Sequence, residues 1–157
     1  MKRHAYTYTM DGVYGPLINP IFKALFSQVN IPDLYRESIS ALAAQGHVVF
    51  AHSKRSVIDA LLLNLRFQDV GLPKPQVVFG EKFFLLQPIS KSMTILKNLL
   101  RKETPFDNGF YKGYMQSGKG ASIIFLDRTL LSGEDPILKL LQLQRENDIP
   151  IFIVPQR

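Results

Sequence analysis

The segment HSKRSVID brings several groups that could do chemistry into one short stretch of the chain. Its His52 can accept a proton, while Lys54 and Arg55 can hold an anion. Asp59 follows, and its carboxylate could orient a neighbouring base. A solvated or hydrogen-bonded histidine at a strand end is the commoner situation for His52. We therefore interpret the segment first as a place where a phosphate-bearing ligand fits.

The elements that would position this segment are a strand before it and a helix after it. The helix is indicated by apolar residues at the spacing of one helical face, Ile58, Leu61, Leu62 and Leu65. Ser56 is a plausible N-cap for that helix, and Asp59 suits the positive end of its dipole. These roles explain Ser56 and Asp59 without any function, but they do not explain why His52, Lys54 and Arg55 occur together. Loops after parallel strands and helix N-termini both favour anionic ligands.

Four β-rich runs alternate with helical patterns along the chain: VVFA (48–51), VVFG (77–80), SIIFL (122–126) and IFIVP (151–155). Further helices are predicted at 35–43, stopped by Gly46, and after Asp135–Pro136. The alternation predicts an α/β fold with an open mixed, mainly parallel sheet flanked by helices. With 157 residues and no linker, the chain is predicted to form one domain, 1–157.

The segment GPLINPIFKALFSQV (15–29) carries a wide apolar stripe that is broken only by Lys23. It is either an interfacial helix lying on a membrane or a helix packed on the sheet, which is the commoner case. No uncharged apolar run reaches the ~18 residues of a spanning helix.

The amino-acid composition limits which partners and which kinds of site the chain can have. The chain has 19 Lys and Arg against 13 Asp and Glu, a net charge of +6, which favours an anionic partner such as a phosphate ester, a lipid surface or nucleic acid. It has no Cys, so disulfides and cysteine-based metal or nucleophile sites are excluded. His4 and His47 have no partner at metal-ligand spacing, so we predict that both are surface residues and that there is no metal site.

The run Ser53-Lys54-Arg55-Ser56-Val57-Ile58-Asp59, followed by ALLL, resembles the first motif of the glycerolipid acyltransferase family. The likeness is greatest to bacterial glycerol-3-phosphate and dihydroxyacetone-phosphate acyltransferases, whose motif reads N-H-R-S-x-x-D. Arg55, Ser56 and Asp59 match this pattern. Ser53 stands in place of the Asn, and Lys54 in place of the His.

A second likeness follows in GKGASIIFLDRTL (118–130), where the family has a strand ending in E-G-T-R. Asp127 replaces the Glu and Thr129 keeps the Thr. Arg128 occupies the Gly position and Leu130 the Arg position.

IPIFIVP (149–155) resembles the family's final motif strand, so the resemblance covers about residues 15–157. Family members usually continue past this point. The resemblance therefore implies a fragment or a shortened relative that lacks the C-terminal part of the family domain.

The resemblance implies transfer of a fatty acyl group from acyl-CoA or acyl carrier protein to glycerol-3-phosphate or lysophosphatidate, in phospholipid biosynthesis. The implied partners are a glycerol-phosphate acceptor, an acyl thioester donor and a membrane surface; nucleic acid is not among them. No cofactor is implied beyond the donor. The implied location is peripheral, on the cytoplasmic face of the membrane.

In the family, the motif His takes a proton from the acceptor hydroxyl and the Asp holds that His. Carried over, Asp59 would orient the base, and Lys54 or His52 would stand at the base position. Arg55 and Ser56 would shape the acceptor site. Its phosphate side would be lined by Arg128 and Thr129, and Asp127 would be a further substrate-binding residue.

Because a lysine stands at the base position, the resemblance does not decide whether the chain is an active enzyme. A free lysine is mostly protonated at neutral pH and is a poor base, so phosphate binding or pairing with Asp59 suits Lys54 better. An alternative to the enzyme is therefore a catalytically inactive relative that binds lipid or phosphate, or that scaffolds a partner. A third interpretation is nucleic-acid binding by the basic surface.

Overall fold

The computed structural model describes Met10 and residues 18–79, 110–116, 120–127 and 135–156. These stretches contain helices and strands in alternation. Their order is α1 (Ile18–Phe26), α2 (Asp33–Gln45), β1 (His47–His52), α3 (Val57–Asp69), β2 (Pro75–Val78), α4 (Phe110–Gln116), β3 (Ala121–Phe125), α5 (Pro136–Arg145) and β4 (Ile151–Gln156).

The four strands form one open sheet in the order β2-β3-β1-β4, and each described pairing is parallel. The predicted α/β fold with an open, mainly parallel sheet flanked by helices is confirmed. β1 lies inside the sheet, between β3 and β4, and all of its residues are buried. Such a strand must be apolar on both faces, which explains the continuous run VVFA.

Alternate residues of the strands point to opposite faces of the sheet. Val48 and Phe50 pack with α1, α2 and α3 in one apolar cluster. Val49 and Ala51 pack with α4 and α5 in a second cluster. The domain therefore has three layers, with α1, α2 and α3 on a first face and α4 and α5 on a second face.

Two helices begin at the N-caps that the sequence predicts. The Ser56 hydroxyl accepts a hydrogen bond from the Asp59 backbone N–H at 3.1 Å. The Asp135 carboxylate accepts one from the Ile137 backbone N–H at 2.7 Å, with Pro136 in the first turn. Each cap contributes about 1 kcal/mol to stability, because it satisfies a donor that the helix leaves without a partner.

The end of α2 also follows the prediction, but for a different reason. Gly46 has an extended backbone, with φ of −176°, so no left-handed conformation requires glycine here. Instead, a Cβ at Gly46 would collide with the carbonyl oxygen of Pro150. That same oxygen accepts a hydrogen bond from the His47 backbone N–H at 2.9 Å, where β1 and β4 begin.

Among the described residues, α1 packs through one side. The rings of Phe22 and Phe26 stack 5.7 Å apart and join the first apolar cluster, so the packed-helix interpretation is confirmed for this side of α1, while residues 15–17 lie outside the described residues. Ile21 and Leu25 remain 64% and 62% exposed. Membrane association of the segment therefore stays a prediction. No helix in the described ranges is long and apolar enough to cross a membrane.

Gly46→Ala is expected to destabilise the domain by about 1–3 kcal/mol, the usual cost of forcing extra volume into a packed site. The backbone oxygen of Pro150 cannot move away without loss of its bond to His47. Gly113→Ala in α4 is the matched control, because a Cβ there meets none of the described residues within 4 Å. The control is expected to gain about 0.5–1 kcal/mol from helix propensity. Urea unfolding measures both, and equal stability of the two variants would contradict the close approach at Gly46.

Candidate functional site

The candidate site lies where the chain leaves two neighbouring strands on opposite sides of the sheet. β1 leads into α3 on the first face, and β3 leads towards α5 on the second face. Open parallel sheets bind ligands at the carboxyl ends of such strand pairs, because the diverging connections leave a crevice there. The Leu126 backbone N–H donates to the His52 carbonyl oxygen at 2.9 Å, which holds the two strand ends level. We call residues 52–59 together with Leu126 and Asp127 the switch-point edge.

His52 is the buried titratable group of this edge. Its side chain points to the same face as Val48 and Phe50, and therefore towards α3. The ring is 8% exposed and lies 5.8 Å from the ring of Phe125. Its Nε2 atom is buried and has no hydrogen-bond partner in the part of the chain that the structure describes. A buried polar atom without a partner is costly, which makes this nitrogen a candidate to receive a ligand hydroxyl.

Two opposing effects set the protonation of His52. Burial lowers its pKa, and the negative charge of Asp59 raises the pKa by a smaller amount. The ring is therefore neutral at pH 7, with a lone pair free to accept a proton. Within the described residues no hydrogen bond joins the ring to the Asp59 carboxylate, so the two groups interact through space.

Lys54 and Arg55 lie in the exposed turn between β1 and α3. Among the described residues Lys54 makes no ion pair with Asp59, so the structural pairing that the sequence suggests is not observed. An exposed ammonium group is suited to meet an anion from solution. The Ser56 hydroxyl caps α3 and is half-buried, so its first role is structural.

Asp127 is the second residue after β3 and is exposed. It is next to Leu126, which bonds to His52, so the structure brings this second motif to the same edge as the first. The sequence suggested this meeting only through the resemblance to the acyltransferase family. The predicted phosphate-side residues Arg128 and Thr129 lie outside the described residues.

The position of His47 contradicts one prediction made from the sequence. It was predicted to lie on the surface, and this is wrong, since it is 1% exposed at the amino end of β1. Its Nε2 lies 2.8 Å from the Ser122 hydroxyl, and its ring meets Tyr114 edge-on at a centroid distance of 5.4 Å. Burial lowers the pKa of His47 from 6.5 to about 4. The sequence carries no signal for this, because the burial follows from the interior position of β1 in the sheet.

The fold and the switch-point edge together define a three-layer α/β protein with a buried histidine at the carboxyl end of its parallel sheet. The chain matches no family model, and no curated protein or solved structure matches it either. In the described residues there is also no group of three or more side chains that could hold a metal ion. The likeness to glycerolipid acyltransferases therefore rests on the motifs alone.

Protonation of His47 is expected to make stability depend on pH. The folded state keeps His47 neutral down to about pH 4, whereas the unfolded chain takes up a proton below 6.5. Stability should therefore fall as pH falls through this range, by about 1.4 kcal/mol per unit, or roughly 2 kcal/mol between pH 6.5 and pH 5.

Chemical denaturation at a series of pH values measures this slope. His47→Gln should flatten it, and His52→Gln should flatten it less, since the pKa of His52 is lowered to a smaller extent. An unchanged slope in His47→Gln would show that His47 does not stay neutral in the folded protein.

Proposed function

We propose that this protein is an acyltransferase of the glycerolipid type. It transfers a fatty acyl group from acyl-CoA or acyl carrier protein to a hydroxyl of glycerol-3-phosphate or lysophosphatidate, in phospholipid biosynthesis. The observation that carries the proposal is the buried, neutral ring of His52 beside the charge of Asp59 at the switch-point edge, with an Nε2 atom that has no hydrogen-bond partner among the described residues.

The reaction needs a base for the acceptor hydroxyl, and His52 is our choice over Lys54. The hydroxyl oxygen attacks the thioester carbonyl carbon while its proton passes to the imidazole ring. The tetrahedral intermediate then collapses, the carbon–sulfur bond breaks, and the leaving thiolate takes the proton back from the imidazolium. A hydroxyl at Nε2 would also provide the hydrogen bond that this buried atom does not receive from any described residue.

Asp59 acts as a positioning residue through its charge. Its carboxylate favours the protonated form of His52, as its effect on the pKa of that ring shows. It therefore stabilises the imidazolium that forms during attack. The family motif places four residues between base and Asp, whereas six residues separate His52 from Asp59. The burial of His52 on the α3 face supports this longer spacing.

The acceptor phosphate is best met by positive groups at the start of α3. Lys54 and Arg55 are exposed there, and the N-terminus of the helix adds a favourable dipole. A carboxylate repels phosphate, so Asp127 suits an acceptor hydroxyl. Arg128 and Thr129 follow Asp127 in the chain and complete the proposed phosphate side.

The proposed setting is the cytoplasmic face of a membrane, with the protein bound peripherally. The net charge of +6 supports contact with an anionic lipid surface. The chemistry needs no cofactor, because the thioester donor is already activated. Nucleic acid has no part in it.

A second candidate is a catalytically inactive relative that binds lipid or phosphate, or scaffolds a partner. Two observations favour it. Lys54, at the family's His position, is exposed, and no hydrogen bond links His52 to Asp59 within the described residues. Such a protein would bind glycerol-3-phosphate or anionic vesicles without turnover.

Thiol release from palmitoyl-CoA with glycerol-3-phosphate separates the two candidates. The native chain should release thiol, and His52→Gln should lose about 100-fold or more of the rate, the usual contribution of a general base. Lys54→Met is the matched control for the base; it should raise the acceptor KM and keep kcat. Loss of kcat in Lys54→Met with full activity in His52→Gln would assign the base to Lys54 instead. If the native chain releases no thiol but Lys54→His does, the native protein is an intact scaffold that has lost its base.

The role of Asp59 is tested by the pH profile of kcat/KM. The native rate should fall at acidic pH as His52 becomes protonated, with a midpoint below 6.5, since its pKa is lowered. Asp59→Asn should be slower, and its acid limb should lie at lower pH, because the charge that raises the pKa of His52 is gone. If Asp59→Asn is slower but its acid limb lies at the same pH as that of the native chain, the electrostatic role of Asp59 is contradicted.

A further inference from the structure

A polar side chain outside the sequence motifs lies beside His52 at the carboxyl end of the sheet. His52 and Gln156 are partners in the parallel register of β1 and β4. Val154 packs in the first apolar cluster, so Gln156, two residues further along β4, points to the same face as His52. Neighbouring strands of a sheet are about 4.8 Å apart. The amide of Gln156 is therefore the neighbour of the His52 ring on the β4 side.

Tyr35 of α2 sets the orientation of this amide. Its hydroxyl donates a hydrogen bond to Oε1 of Gln156 at 3.2 Å. Its ring packs in the first cluster, 6.3 Å from the ring of Phe67, which anchors the hydroxyl on the helix. Burial raises the pKa of Tyr35, and the bond to Gln156 lowers the pKa by a smaller amount, so the phenol stays protonated and remains a donor.

The nitrogen of the same amide is engaged only by its own strand. Nε2 of Gln156 donates to the carbonyl oxygens of Pro155 at 3.2 Å and of Val154 at 3.5 Å. The second distance is at the outer limit of a hydrogen bond. A primary amide has two N–H bonds, so one can turn to a ligand while the other keeps a backbone contact. Tyr35 and Gln156 are both half-buried, which leaves the amide within reach of a ligand from solvent.

The starts of α2 and α3 lie on either side of these side chains. α2 begins near the carboxyl end of the sheet, where Tyr35 reaches β4, and ends at Gly46 beside the amino end of β1. α3 begins after the turn that carries Lys54 and Arg55. Between the two helices lies the buried Nε2 atom of His52, which has no partner among the described residues. One ligand could therefore meet an acceptor nitrogen, an amide donor and two cations at this end of the sheet.

We propose that His52, Gln156 and Tyr35 form a subsite for a vicinal diol that also carries a phosphate group. Nε2 of His52 accepts a hydrogen bond from the first hydroxyl, and the amide N–H of Gln156 donates to the oxygen of the second. Two hydroxyls on adjacent carbons suit two side chains on adjacent strands. Tyr35 is a positioning residue, because it acts on the ligand through the Gln156 amide.

The subsite narrows the acceptor of the proposed reaction. The inference rests on the proposed function for the identity of the ligand, and it selects glycerol-3-phosphate over lysophosphatidate. Glycerol-3-phosphate has two free hydroxyls on adjacent carbons, whereas one of them is esterified in lysophosphatidate. The phosphate group would extend to Lys54 and Arg55, as in the proposed function.

Titration calorimetry without an acyl donor tests the subsite separately from turnover. Glycerol-3-phosphate is compared with 3-hydroxypropyl phosphate, which keeps the phosphate and the terminal hydroxyl and lacks only the middle one. The native chain should bind glycerol-3-phosphate about three- to tenfold more tightly, the usual contribution of one hydrogen bond. Gln156→Leu should bind the two ligands equally. Tyr35→Phe should show a smaller preference than the native chain, because its amide is no longer held.

The ratio of the two affinities is measured on each variant by itself, so a general loss of stability does not change it. Gln142→Leu is the matched control, since Gln142 is exposed on α5 and that helix packs on the second face of the sheet. It should keep the native preference. Inorganic phosphate should bind the native chain and Gln156→Leu alike, because it makes no use of the amide. Thermal melts verify that the variants fold.

Three results would overturn the subsite: no binding of glycerol-3-phosphate by the native chain, equal affinity of the native chain for both ligands, or an unchanged preference in Gln156→Leu. An unchanged preference in Tyr35→Phe would remove Tyr35 from it. Thiol release from palmitoyl-CoA separates these results from failure of the proposed function. Turnover with an unchanged preference in Gln156→Leu would refute the subsite and keep the enzyme. A preference that Gln156→Leu loses, without thiol release by the native chain, would support the subsite and reject the acyltransferase.

Discussion

The structure depends on one constraint, the complete burial of β1 inside the sheet. A strand with neighbours on both edges and helices on both faces must satisfy its backbone through β3 and β4 and must present apolar side chains in both directions. VVFA meets that demand. The collision that forces glycine at position 46 has the same origin, because β1 and β4 begin together at the contact between His47 and Pro150.

The two ends of β1 show how the same residue type can serve different purposes. His47 and His52 are an odd number of residues apart, so they face opposite sides of the sheet. At the amino end, His47 is enclosed against Ser122 and Tyr114, and its neutral ring is a structural element. At the carboxyl end, His52 lies beside the charge of Asp59, where the connections of β1 and β3 diverge. The geometry thus separates a core histidine from a candidate base.

The proposed chemistry depends on the packing of α3. Its first turn carries Ser56 and Asp59 at the switch-point edge, and its apolar side packs against α1. Because a packed helix is rigid, this contact fixes the position of Asp59 relative to the sheet that carries His52.

Much of the architecture is determined by the sequence alone. Buried strands produce uninterrupted apolar runs, the helix that follows β1 has the spacing of one apolar face, and Ser56 and Asp135 cap helices through local hydrogen bonds. The sequence also singles out the segment 52–59, because local clustering of charge is visible in one dimension. It could not show that His52 is buried while Lys54 is exposed, nor that His47 is buried. Those outcomes depend on which strands become neighbours and on which face each side chain then points to, and both are set by contacts between residues far apart in the chain.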